Sequence, residues 1–100
     1  MANDDRIDPA TLSDDSLLEY ARRFVADAAD CDEDAVEDDT ELYVKLKIDS
    51  LGIVAVFIDV AYTFGVPEPS GEIEYRSLDT PRKIVAFIRS HQKAADNEQN

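Results

Sequence analysis

The sequence predicts an all-α fold: a small antiparallel bundle of three main helices and one short helix, with a long loop between the first two. Three observations carry this expectation. Apolar residues recur at helical spacing in two segments, around residues 17–28 and 84–88. A third, more apolar run from Leu51 to Phe64 is bracketed by residues that start and stop helices. The acidic stretch from Cys31 to Asp49 has no helical stripe and so reads as a connection.

The first helix is expected within "SDDSLLEYARRFVADAAD". Ser13 can cap it, and Asp14 and Asp15 suit the positive end of a helix dipole. Leu17, Ala21, Phe24, Val25 and Ala28 form the buried stripe, leaving Glu19, Arg22, Arg23 and Asp27 for solvent. In the connection that follows, Leu42, Val44, Leu46 and Ile48 alternate with Glu41, Lys45 and Lys47. That is a strand pattern with no partner strand, so it predicts an extended loop pinned to the core by its apolar residues. A loop this long in so small a domain implies that the loop has a job.

The run Leu51–Phe64 is locally ambiguous, because Ile53, Val54, Val56, Ile58 and Val60 are β-branched and favour a strand. Its fourteen residues are long for a strand, Asp49 or Ser50 can cap its start, and Gly65 before Val66-Pro67 can end it. Helix is the better reading. A short helical turn is expected around Ile73 to Tyr75. The last helix has Asp79 or Thr80 as cap, Pro81 in its first turn, and Ile84, Val85, Phe87 and Ile88 as buried stripe. Residues 1–12 and 93–100 are polar and weakly patterned, predicting flexible tails around one domain at 13–92.

Composition narrows the function. One hundred residues with 44% hydrophobic content suit one modest core. A net charge of -13 repels phosphate backbones, which argues against nucleic acid and for basic protein surfaces as partners. The N-terminus lacks the pattern of a signal peptide, and the most apolar run is too short to span a bilayer and contains Asp59. One cysteine cannot form an internal disulfide. A soluble cytoplasmic protein is the expectation.

Few residues carry chemistry. Ser50 reads either as an ordinary helix cap or as a serine bearing a phosphate ester, since the free amides at a helix start stabilise such an anion. Asp49 reads as the cap itself or as a carboxylate that helps hold the metal of a modifying enzyme. Asp30, Asp32, Asp34, Val36, Asp38 and Glu41 fall on the ligand spacing of a calcium loop. However, Ala35 stands where that loop needs glycine, and Glu37 where an apolar residue pins it. Cys31 sits among Asp30, Asp32, Glu33 and Asp34, whose charge disfavours a thiolate, and His91 borders a tail. No catalytic constellation emerges, so no enzyme and no resident metal are expected.

In order and spacing, "DDTEL" (38–42), "LKIDSL" (46–51), "FGVP" (64–67) and "LDTPRKIVAFI" (78–88) resemble the acyl carrier protein family. The resemblance covers about Leu17 to Ser90. It implies that a phosphopantetheinyl transferase attaches 4'-phosphopantetheine to Ser50, with Asp49 part of what the transferase recognises. The arm would hold acyl groups as thioesters for acyl-loading and acyl-transferring enzymes, the chain itself being a monomer that catalyses nothing. Leu51, Val54, Ala55, Asp59 and Tyr62 on the second helix are the expected partner-binding residues. Two departures stand out: Lys47 replaces the family's usual glycine, and Asp59 is the only carboxylate on a helix that is usually acidic. Docking is therefore expected to be more apolar and less salt-sensitive than is usual in the family, and the carrier to serve a specialised pathway. The histidine and glycine-rich approach common beside the serine of aminoacyl and peptidyl carriers are absent. The alternative is an acidic helical module that binds calcium or a partner, in which Ser50 only caps.

Overall fold

The computed structural model describes residues 6–92, and among these every regular element is helical. Four helices follow in order: α1 (Asp14–Ala29), α2 (Ser50–Phe64), α3 (Glu72–Ser77) and α4 (Pro81–His91). Helix α1 packs on both α2 and α4, and the long connection joins α1 to α2.

Local chemistry sets the ends of these helices. The Ser13 hydroxyl accepts the Ser16 amide at 3.1 Å, and Asp30 closes α1 in the left-handed region at φ 57°. Helix α1 buries Leu17, Leu18, Ala21, Val25 and Ala26, whereas Phe24 and Ala28 are only half-buried. Its apolar stripe is wider than one face and shifted from the expected set because two helices cover it. Gly65 ends α2 at φ 72° with its amide on the Ala61 carbonyl at 2.8 Å. In α4 the Thr80 hydroxyl accepts the Lys83 amide at 3.2 Å, with Pro81 in the first turn.

Ile53, Val56, Phe57, Val60 and Phe64 of α2 meet Ile84, Val85, Phe87 and Ile88 of α4 and the buried face of α1 in one core. At its centre Phe57 is 1% exposed. Its ring meets Phe87 edge-on at 5.4 Å and Tyr75 of α3 edge-on at 5.7 Å. One aromatic side chain thus ties together three of the four helices.

Two expectations fail. The second half of the connection is wound, not extended: the Lys45 and Leu46 amides both donate to the Glu41 carbonyl, and the Ile48 amide donates to Leu42. A wound backbone brings positions four apart onto one side, so Leu42 is buried and Leu46 half-buried while Val44 is 68% exposed. The other failure concerns residues 6–12, which are docked where a flexible tail was expected. The Ile7 amide donates to the Thr63 carbonyl at 2.7 Å, Pro9 is buried, and the Arg89 guanidinium donates to the Pro9 and Leu12 carbonyls at 2.8 Å each. Three hydrogen bonds and one buried proline outweigh the polar composition of this segment. The expected tails at 1–5 and 93–100 lie outside the described residues.

The connection is also fastened away from α2. Arg22 of α1 pairs with Asp38 at 2.6 Å, and Arg82 of α4 holds Asp39 with two bonds, at 2.9 and 3.2 Å. Backbone bonds from Arg82 to Asp38 and from Leu42 to Asp79, both 2.9 Å, lay the loop across the start of α4.

Because Phe57 joins three helices, Phe57→Ala is expected to lower the unfolding free energy by about 3–5 kcal/mol in denaturant titrations, and a loss below about 1 kcal/mol would contradict this packing.

Candidate functional site

The site begins at Ile48, whose buried side chain ends the loop and seats it on the core. Gly52 lies directly above it. A Cβ at residue 52 would stand 2.8 Å from Cγ2 of the buried Ile48, too close for a carbon contact, so glycine lets the end of the loop pack this tightly on the start of α2. Asp49 then has extended backbone, and its Oδ1 accepts the Gly52 amide at 2.9 Å. Asp49 is therefore the cap. Ser50 is the first helical residue, so the reading of Ser50 as the cap fails: a residue already turned into the helix points its side chain away from the orphan amides. Ser50 is exposed, and its hydroxyl makes no hydrogen bond among the described residues.

Two orphan amides remain beside that hydroxyl, because the Ser50 and Leu51 N–H groups have no protein acceptor among the described residues while Ile53 donates to Asp49. Ser50 also sits on the rim of an open cleft of about 710 Å³. Ile48, Ile53 and Val54 form its apolar floor, Tyr43 and Tyr75 a wall, and Glu72 and Arg76 of α3 its far rim. The Tyr43 hydroxyl donates to the Tyr75 carbonyl at 3.0 Å, which fixes the loop to α3 across the cleft. Arg76 lies 3.5 Å from Glu72, so the far rim is charge-balanced.

The expected partner-binding residues separate into two groups. Val54 turns toward the cleft and is half-buried. Leu51 (80% exposed), Ala55 and Tyr62 (71% exposed) line one outer stripe, which also includes Ile58, half exposed. Ile58 was missed as a surface residue because it is β-branched and apolar, yet the 51-55-58-62 spacing is that of a single helical face. Asp59 flanks this stripe on the α1 side. Its carboxyl is pushed above the ordinary carboxylate range, first by the cost of its partial burial and then by the carboxylate of Asp27.

The other candidates do not assemble. The loop acids are dispersed: Asp38 and Asp39 are engaged by Arg22 and Arg82, Arg23 lies 3.9 Å from Glu33, and no group of three or more potential ligands clusters among the described residues. Cys31 packs partly buried just past the end of α1, where its amide donates to the Ala26 carbonyl. His91 packs on Phe87 and shares a small pocket with Phe64 and Gly65 at the other end of α2, about 22 Å away along that helix.

No protein-family model matches the chain. It is nevertheless similar to carrier proteins along its length. It is 28% identical over 61 residues to a D-alanyl carrier protein of Abiotrophia defectiva, covering 59% of this chain and 77% of that protein. A D-alanyl carrier protein of Lacticaseibacillus rhamnosus is 27% identical over 81 residues, covering 81% of this chain and all of the relative. An acyl carrier protein of Lactobacillus acidophilus is 26% identical over 81 residues, covering 81% and 99%. The resemblance carried by the sequence motifs is thus borne out, and the chain is a divergent relative of these carriers.

Asp59 supplies a pH test. A carboxyl whose folded value is raised opposes folding when ionised; the penalty is full above that value and disappears as pH falls below the ordinary 3.8. Asp59→Asn should therefore raise the denaturation midpoint near neutral pH and leave it unchanged near pH 3, and equal gains at both would contradict the assignment.

Proposed function

We propose that this divergent relative of the acyl carrier proteins holds an acyl group as a thioester, on a 4'-phosphopantetheine arm joined to the Ser50 hydroxyl. The observation that carries this reading is the placement of Ser50: an exposed, unbonded hydroxyl at the first turn of α2, on the rim of an apolar cleft, with capping left to Asp49. A serine serving only as cap would have its oxygen on a helix amide.

The residues fit the arm. Its phosphodiester would sit at the positive end of α2, beside the open Ser50 and Leu51 amides. When bound, the arm supplies a terminal thiol that carries the acyl group. Ile48, Ile53 and Val54 can shelter an apolar chain from water, with Tyr43 and Tyr75 closing one side. The protein orients and shields; catalysis belongs to the enzymes it visits, namely a phosphopantetheinyl transferase, acyl-loading and acyl-transferring enzymes. Asp49 holds the serine in position for the transferase. The outer stripe of Leu51, Ala55, Ile58 and Tyr62 supports apolar docking and a specialised pathway in place of general fatty-acid synthesis. No helix among the described residues is long and apolar enough to cross a membrane, and the cytoplasm is where such a carrier would work.

A second reading concerns the cargo alone. An aminoacyl load was disfavoured by the residues before Ser50, but the similarity to two named D-alanyl carrier proteins favours it. The apolar floor of the cleft favours the acyl load, since a charged amine would lose hydration there.

Incubation with coenzyme A and a broad-specificity transferase is expected to add one phosphopantetheinyl mass to the wild type and none to Ser50→Ala. No gain with several transferases would reject the carrier reading, and stoichiometric calcium binding abolished by Glu41→Ala would replace it with the cation-binding module.

A further inference from the structure

One end of the cleft beside Ser50 is closed by a loosely held part. Ser50, Ile53, Val54 and Phe57 recur at helical spacing, so they lie along one side of α2. An apolar chain laid into the cleft from the Ser50 rim therefore runs over Ile53 and Val54 toward Phe57, about 10 Å further along the helix. It stops short of Phe57, which is buried and has the Tyr75 ring edge-on at 5.7 Å. Tyr75 stands between the cleft and the centre of the core.

The helix that carries this stop has little to hold it. Helix α3 is six residues long, buries none of them, and starts at Gly71 with no side-chain cap. Ile73, its most apolar residue, is 87% exposed. So short a helix is not stable by itself. Among the described residues, one hydrogen bond reaches it from a distant part of the chain, from the Tyr43 hydroxyl to the Tyr75 carbonyl at 3.0 Å. The donor side of that bond is fixed, because the neighbouring Leu42 is fully buried and its amide donates to the Asp79 carbonyl. Burial pushes the Tyr43 hydroxyl above the ordinary tyrosine range, so it remains a donor at neutral pH. The bond joins a fixed loop to a loose helix, and α3 is the part that moves when it breaks.

We propose that Tyr43 sets the length of acyl chain this carrier shelters, by latching Tyr75 as a stop at the Phe57 end of the cleft. This rests on the carrier reading above and adds a cargo class to it: chains that end before Tyr75. A short chain fits on the floor of Ile48, Ile53 and Val54 with the latch closed. A longer one keeps its surplus methylenes, and with them its thioester, in water unless Tyr75 swings off Phe57. That movement breaks the Tyr43 bond and the edge-on ring contact together. Without the hydroxyl, opening becomes about fivefold easier, the share of one neutral hydrogen bond.

The test uses the full-length protein and Tyr43→Phe, which keeps the ring and loses only the hydroxyl. Hydrogen exchange of the unloaded proteins reads the latch without reference to cargo. The Tyr75 and Leu78 amides are expected to exchange about fivefold faster in the variant, with the Phe57 amide unchanged. Octanoyl- or tetradecanoyl-coenzyme A and a broad-specificity transferase then install the loaded arm, which intact mass checks. If the wild type gains no mass, the carrier reading falls, and this proposal with it. With the arm in place, transfer of the acyl group to a small thiol in excess reads how far the thioester is exposed. Tyr43→Phe is expected to slow this transfer about fivefold for tetradecanoyl and to leave it unchanged for octanoyl. Equal changes for the two cargoes, or none, are what a merely structural tyrosine gives, and either overturns the proposal. So does unchanged exchange at Tyr75 and Leu78, which would show that the bond does not hold α3.

Discussion

The burial of Ile48 against Gly52 is the contact on which the working end of this molecule depends. It brings the end of a nineteen-residue connection, Cys31 to Asp49, onto the core at the point where α2 must start. Because Ile48 is inside, Lys47 has to turn through a left-handed conformation, and Asp49 is left extended above the first free amides. Asp49 then caps, and Ser50 is released from structural duty. The same close approach forbids a side chain at residue 52. A long loop and a free serine therefore have one cause.

The loop must also be held at its middle, and here the contributions differ in kind. Leu42 is fully buried, and apolar burial of a leucine is worth about 1.5–3 kcal/mol. The Arg82–Asp39 pair faces solvent and the Arg22–Asp38 pair is only part-buried, and water screens such pairs so that each adds little beside the burial of Leu42. Leucine anchors the loop, and the ion pairs choose its register. Arg82 holds the Asp39 carboxyl below the ordinary carboxylate range through its hydrogen bonds, so this staple survives to more acid pH than an unpaired carboxylate would allow. Stability from this pair is present above the ordinary value and lost as pH falls through the lowered one.

Much of this was legible in the residues. Helices α1 and α4 declared themselves because their apolar spacing, caps and proline agree with one another. The all-apolar α2 was legible from its ends, Asp49 and Gly65, more than from its β-branched interior. The loop misled because Leu42, Val44, Leu46 and Ile48 alternate perfectly; a period of two means a strand only when a neighbour pairs with it, and here the chain wound on itself. Whether Asp49 or Ser50 capped was undecidable locally, since both residue types cap well. The docking of residues 6–12 depends on Arg89, some eighty positions away, and no local pattern could show it. The cleft beside Ser50 likewise gathers residues from the loop, α2 and α3 that are far apart in sequence.

The central claim is that Ser50 is an attachment point whose cargo lies in the adjoining apolar cleft. Methyl-labelled protein carrying an octanoyl thioester on its arm, compared with the acetyl thioester, tests this most directly by nuclear magnetic resonance. The account predicts that methyl signals of Ile48, Ile53 and Val54 shift with octanoyl and show contacts to its chain, while acetyl leaves them in place. Identical methyl spectra for the two loads would contradict it.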